Sequence, residues 1–257
     1  MVASAKTFTR LRIYNLFMGL LHLAQAGLIV YLTNSFKVPV NTSYLAFNSS
    51  AHKLEPVSRH LFDVRLGYGV ALFLLISAIA HFLIATAYYQ RYAGGLKRGM
   101  NLARWVEYAL SASLMIILIG LLSGIYDLST LVMMFGLTAV MNLCGMAMEI
   151  YNQGRERIGW TAYNIGSLAG AIPWIVIVIY FLGAATAAHN PIPTFVYWIY
   201  VSIFFFFSIF ALNMYLQYKR IGPWRNYLFG EYMYVLLSLV AKSALAWQIF
   251  FGTLRPV

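Results

Sequence analysis

Residues 232–254 read YMYVLLSLVAKSALAWQIFFGTL, and Lys242 is the single formal charge in the run. At a rise of about 1.5 Å per residue this stretch is long enough to cross a hydrocarbon core of roughly 30 Å. Ten uncharged residues precede the lysine and twelve follow it. Either end of the run is therefore roughly 15 Å away, whereas a lysine side chain reaches only about 6 Å. Snorkelling to the interface does not explain it. An intramembrane lysine costs a few kcal/mol and demands a partner or covalent chemistry.

The rest of the chain agrees with a membrane setting. Of 257 residues 61% are hydrophobic and only 10% charged, with a mean hydropathy of +0.73. A soluble domain carries about a quarter charged residues. Seven apolar segments each reach spanning length, near 11–33, 64–90, 100–124, 128–151, 159–184, 192–218 and 226–252. These predict an all-α membrane protein, a single seven-transmembrane-helix bundle spanning residues 1–257. Most connections, such as DLST and NQGRER, leave no room for a second domain. The exception is 34–63, where KVPVNTSYLAF predicts a small β-ribbon. The N-x-S patterns at Asn41 and Asn48 are read as chance. The lone Cys144 excludes a disulfide framework, and nothing around it forms a metal site.

The net charge of +11 has a topological explanation that needs no nucleic acid. Lys6, Arg10, Arg12, Arg91, Lys97, Arg98, Arg104, Arg155, Arg157, Lys219, Arg220 and Arg225 fall on the N-terminal side. Lys37, Lys53, Arg59, Arg65 and Arg255 fall on the other, twelve against five. The positive-inside rule places the N-terminus in the cytoplasm and the C-terminus outside, in a multi-pass protein of the cell membrane. The ribbon then lies in the first extracellular loop. The first segment lacks a small-residue cleavage site and is expected to be retained.

Two readings of Lys242 stand. One is a structural or transport ion pair. The other is a desolvated amine that forms a Schiff base with an aldehyde. A protonated imine requires a nearby anion, and the intramembrane acids are Glu107, Glu149 and Glu231. Glu149 and Glu231 stand near segment ends, where solvated acids are common. Glu107, in LARWVEYALSASLMI (102–116), lies deeper, although an i, i+3 pair with Arg104 is its competing assignment. Counted from the segment ends, Glu107 and Lys242 differ in depth by roughly 13 Å. The lysine leans toward its helix N-terminus and closes part of that gap, and tilt or unequal ends must close the rest.

Seven segments with a buried lysine in the last resemble the retinal-binding rhodopsins. RWVEY (104–108) is similar to the arginine–aromatic–x–acid–aromatic motif of the microbial branch, whose acid is the counterion. Departures from that branch are Ser238 where a second acid is usual and Leu118 where pumps often place a proton donor. The sixth segment, SIFFFFSIFALNMYLQYK (202–219), lacks the usual tryptophan and proline, and the orientation is inverted. Together with SLVAKSALAWQIFFGTL (238–254), these features resemble the heliorhodopsins over nearly the whole chain. The resemblance implies all-trans retinal on Lys242, Glu107 as sole counterion, a homodimer, and a slow photocycle suited to signalling.

Other residues take roles around that pair. Ser238, one turn before Lys242, and Ser111, one turn after Glu107, either hydrogen-bond near the imine and the carboxylate or bond their own backbones. His22 and His81, with Ser77 one turn before His81, are intramembrane. A lone buried histidine is most often a satisfied core residue, but two on neighbouring segments near Glu107 favour function. The resemblance places them in a polar cavity near the Schiff base, for proton storage without metal ligation. Tyr108, Met115, Met141, Trp174 and Phe207 are candidates to line a slot for a polyene. Pro173 is expected to bend the fifth segment.

No titratable group is expected between Lys242 and the extracellular side, so a proton path stops halfway. The reading is of a receptor and not an enzyme, with proton movement confined to the cytoplasmic half. A light-driven ion transporter is the first rival, and a retinal-free transporter or receptor with a Lys–Glu pair the second. Any signalling partner must dock on the basic cytoplasmic loops or within the bilayer, against lipid.

Overall fold

A computed structural model describes residues 5–187 and 194–254. Arg255, and the expected start of the sixth segment at 192, lie outside the described residues. Among those described, seven helices are long and apolar enough to cross a membrane. They are α1 (Ala5–Leu32), α2 (Leu66–Ala85), α4 (Leu102–Leu122), α5 (Leu128–Tyr151), α6 (Thr161–Ala187), α7 (Thr194–Tyr218) and α8 (Tyr227–Ile249), the last continued by a wider turn at Phe250–Leu254. An eighth helix, α3 (Tyr89–Lys97), joins α2 to α4.

The second expected segment, 64–90, is shorter than its hydropathy suggests. The helix stops at Ala85 because Thr86 adopts φ −124°, ψ −97°, with its hydroxyl donating to Phe82 O at 2.6 Å. The chain then re-enters a helix whose Tyr92 and Leu96, one turn apart, are buried while Arg91 and Lys97 are exposed. This amphipathic spacing suits a helix lying along the end of the bundle. Elsewhere side-chain caps set the starts. Asn101, Asp127 and Asn226 accept from the backbone N–H of Arg104, Thr130 and Leu228 at 3.1, 3.1 and 3.0 Å. Helix α6 continues through Pro173.

The helices form a ring in which α1 packs on α2, α2 on α4, α4 on α5, α5 on α6, and α8 on both α7 and α1. Between α6 and α7 the contact is aromatic, with Phe181 against Tyr200 at 4.4 Å and Trp174 against Phe204 at 5.3 Å. Apolar side chains such as Phe17, Leu72, Ile79, Val132, Ile179 and Phe205 face outward, as lipid contact requires. Close approach rests on small residues. A Cβ on Gly145 would lie 2.4 Å from Trp105 Cζ3, so α5 meets α4 there across bare backbone.

The ribbon is longer than its sequence cues suggest, pairing β1 (Lys37–Asn48) antiparallel with β2 (Lys53–Arg65). A register shift between Val40 and Asn41 turns it, and Val38 and Val40 are buried at the end of the bundle. Asn41 N donates to Tyr126 O at 2.8 Å and Ser43 N to Asp127 Oδ1 at 3.2 Å, anchoring β1 on the start of α5. At the exposed turn, the Asn48 amide and the Lys53 ammonium hold the Glu55 carboxyl below its ordinary range.

Between the ribbon end and mid-depth the interior is mainly apolar, built from Phe73, Leu74, Leu118, Leu121, Leu245 and Ile249, with uncharged hydrogen-bonded pairs such as Trp247–Gln25 and Gln248–Ser202 among them. Among the described residues the buried charges lie in the other half.

Candidate functional site

On α4 the residues Arg104, Glu107, Tyr108, Ser111 and Met115 recur at helical spacing and form one buried face. Opposite, α8 presents Glu231, Ser238 and Lys242, all buried. The Lys242 ammonium donates to Glu107 Oε1 at 2.7 Å and to Ser238 Oγ at 2.9 Å. Ser77, on α2, donates to the same carboxylate oxygen at 2.7 Å. Tyr108 lies beneath the ammonium, its ring centroid 5.1 Å from Nζ, and its hydroxyl donates to Tyr234 O at 3.0 Å. The depth difference anticipated between Glu107 and Lys242 does not keep them apart.

The competing pair of Arg104 with Glu107 does not form. Arg104 instead bridges Glu149 and Glu231, one through each terminal nitrogen. The expectation that these two acids are solvated end residues fails, since both are buried. Their oxygens are further engaged by Trp105 Nε1 (2.8 Å), Asn101 N (2.8 Å) and Tyr227 Oη (3.1 Å) on Glu149, and by Asn101 Nδ2 (2.6 Å) and Tyr92 Oη (3.2 Å) on Glu231. A buried ion triad persists only when its remaining lone pairs are satisfied in this way. Burial and the neighbouring Glu231 hold the Tyr92 phenol well above its ordinary value, so it stays a donor.

His22 and His81 come together as stacked rings 5.5 Å apart. His81 Nδ1 lies 2.8 Å from Asn15 Oδ1, and Asn15 Nδ2 donates to Tyr92 Oη at 3.4 Å. Both ring nitrogens of His22 are buried without a hydrogen-bond partner among the described residues. Asn15, Asn101 and Tyr92 escaped sequence reading because carboxamides and phenols carry no charge to flag them. The available signal was a lone asparagine, at position 15, in an apolar run.

Next to Lys242 a small cavity of about 40 Å³ is lined by Tyr108, Ser111, Met115, Met141 and Phe207, with Asn142 and Phe210 in addition. Four of the five slot candidates therefore meet at one place, with Ser111 beside them. Trp174 does not join them at the lining. It packs edge-on against Phe207 at 5.4 Å, one layer behind. Among the described residues the buried Ser111 hydroxyl has no hydrogen-bond partner in normal geometry, and it lies near Glu107.

A seven-helix membrane bundle whose last helix carries a buried lysine against a carboxylate on the third spanning helix defines a rhodopsin-type architecture. The family model described as Heliorhodopsin matches residues 11–254, and the chain belongs to the heliorhodopsin family. No curated protein matches it. It is a multi-pass, retinal-binding membrane protein of rhodopsin type. The residues present fit that chromophore. A primary amine stands at the head of the cavity, an anion beside it and an unpaired hydroxyl on its wall. Flexible thioethers fill the space that an elongated apolar molecule would take.

Proposed function

We propose that the protein is a light sensor in which all-trans retinal is held on Lys242 as a protonated Schiff base, with Glu107 as the counterion. The observation that carries this reading is the contact of 2.7 Å between the buried Lys242 nitrogen and Glu107, capped by Ser77 and Ser238. When bound, the chromophore supplies absorption of a visible photon and a change of shape at the nitrogen. Glu107 keeps that nitrogen cationic in the resting state, and Ser238 orients it. Tyr108, Ser111, Met115, Met141 and Phe207 shape the slot, with Trp174 bracing Phe207.

His22, His81 and Ser77 would take up and return a proton within the same half of the bundle. The apolar plug of Phe73, Leu118, Leu245 and Ile249 gives no titratable relay toward the ribbon end. A slow signalling photocycle without net ion transport follows, in a receptor rather than an enzyme. The charge bias favours a cytoplasmic N-terminus and an extracellular ribbon. In this reading the protein works as a homodimer in lipid and signals through a cytoplasmic or membrane partner.

The test is reconstitution. Full-length protein supplied with all-trans retinal should develop a visible band, and Lys242→Ala should stay colourless. A colourless wild type, or a coloured Lys242→Ala, defeats the proposal.

A further inference from the structure

A second and larger cavity, about 1010 Å³, opens at the end of the bundle that carries the N-terminus. The α3–α4, α5–α6 and α7–α8 connections converge on it and bring Arg98, Arg155, Arg220 and Arg225 to its walls. Glu149 lies at its floor, already paired with Arg104, and Glu156 on its rim. Among the described residues none of the four wall arginines has a carboxylate within ion-pair distance. Among the described residues their one side-chain hydrogen bond is from Arg225 Nε to Arg220 O at 3.3 Å, while Arg155 lies over the Tyr151 ring at 3.6 Å. Membrane topology explains a basic face. It does not explain four guanidiniums without a carboxylate partner, drawn from three separate connections around one hollow.

The backbone at Arg220 is a second, independent sign. Helix α7 ends in a Schellman motif, with Ile221 N donating to Leu216 O at 3.1 Å and Arg220 N to Gln217 O at 3.2 Å. The motif places the second residue past the helix in the left-handed region, where glycine is favoured, yet Arg220 stands there at φ 52°. A side chain in that conformation is strained. Retaining arginine there is understandable if its guanidinium has a ligand.

A polar chain runs from the floor of this cavity to His81, next to the lysine site. Tyr227, on the cavity wall, donates to Glu149, and Glu149 pairs with Arg104 and Arg104 with Glu231. Tyr92 links Glu231 to Asn15, and Asn15 meets His81, whose ring stacks on His22 beside the Lys242–Glu107 pair.

We propose that this cavity binds a multivalent, phosphate-bearing anion and that its occupancy is coupled through Arg104 to the lysine site. Guanidinium forks match phosphate oxygens two at a time, and several can share one polyphosphate or headgroup. The volume exceeds the needs of a simple halide, and the carboxylates at floor and rim disfavour weakly charged anions. Coupling is reciprocal, so a ligand that shifts Arg104 alters the lysine site, and a change at the lysine site alters affinity for the ligand. The coupling, though not the binding, rests on the light-sensing reading above.

The test uses the full chain in phosphatidylcholine nanodiscs, titrated calorimetrically with inorganic pyrophosphate at constant ionic strength. A parallel set of discs contains phosphatidylinositol bisphosphate. Saturable binding is expected, weakened about tenfold or more in Arg155→Gln and in Arg220→Gly. Arg220→Gly should meanwhile melt at a higher temperature, because glycine relieves the left-handed strain, so weaker binding there cannot be misfolding. Loss of pyrophosphate binding in the phosphoinositide discs identifies a lipid headgroup as the occupant, and its persistence identifies a free phosphate compound. Absence of saturable binding in either disc, or binding unchanged in both variants, overturns the site. In retinal-loaded protein the decay of the light-induced state should change with pyrophosphate, and an unchanged decay alongside binding overturns the coupling. Calorimetry needs no colour, so failure of the retinal reading leaves the binding result interpretable.

Discussion

Glu231 and Lys242 stand eleven residues apart on one face of α8, about 16 Å along the axis, yet their partners Arg104 and Glu107 are only three residues apart on α4, about 4.5 Å. The difference, roughly 12 Å, matches the reach of two long side chains, each about 6 Å. Arg104 extends toward the N-terminal end of α4 to reach Glu231, and Lys242 extends toward the N-terminal end of α8 to reach Glu107, as helical side chains lean. Shortening or neutralising any one of the four therefore strands its partner in a buried setting.

Glu107→Gln, in protein supplied with retinal, should move the visible band strongly or replace it with a near-ultraviolet band at neutral pH. Removing the carboxylate leaves a buried cation uncompensated. Absorption spectra before and after the substitution decide it, and an unmoved band would release Glu107 from the counterion role.

Arg104→Gln should be the most destabilising single change at the N-terminal end. It leaves Glu149 and Glu231 buried side by side without a cation, at a cost of about 3–5 kcal/mol. Thermal unfolding in detergent measures this, with Arg98→Gln, exposed and unpaired, as the comparison that should melt near the wild type.

His81→Ala should change the kinetics of the light-induced state while leaving the resting band nearly in place, because His81 touches Asn15 and His22 and not the Lys242 nitrogen. Asn15→Leu should have a similar effect by cutting the link to Tyr92. Flash photolysis reads both, and unchanged decays return these residues to ordinary packing.

Illuminated vesicles should show no steady current, only a transient from proton movement within one half of the bundle. On the far side of Lys242 the core side chains Phe73, Leu118, Leu245 and Ile249 carry no titratable group, and the hydrogen-bonded pairs Trp247–Gln25 and Gln248–Ser202 there are uncharged amides, an indole and a hydroxyl. A sustained photocurrent would establish the transporter reading in place of the sensory one.

Gly145→Val should destabilise by about 1–3 kcal/mol, the usual range for overpacking. Its side chain would occupy the space of the Trp105 ring and push the indole off Glu149, so the melting temperature should fall.

The architecture and the lysine were legible in the sequence because both are one-dimensional signals. Seven apolar runs reveal themselves by length, and a charge at mid-run cannot be mistaken for anything solvated. Glu107 stood out in the sequence as the deepest acid, but a competing pair with Arg104 left its partner open until the packing was known. Glu149 and Glu231 were not legible, because depth along a helix says nothing of which neighbour covers its end. Only the packing of α4, α5 and α8 around Arg104 shows that these acids are buried.

Likewise, hydropathy placed the end of the second segment at residue 90, a few residues past where α2 stops at Ala85. The break is a backbone angle at Thr86. Sequence by itself thus determined what must lie in the bilayer and which charge needed an answer. Tertiary structure decided which acid answers it and which histidine meets which asparagine. It also decided where three separate connections close around one cavity, because those pairings depend on helix offset and side-chain reach between elements distant in the chain.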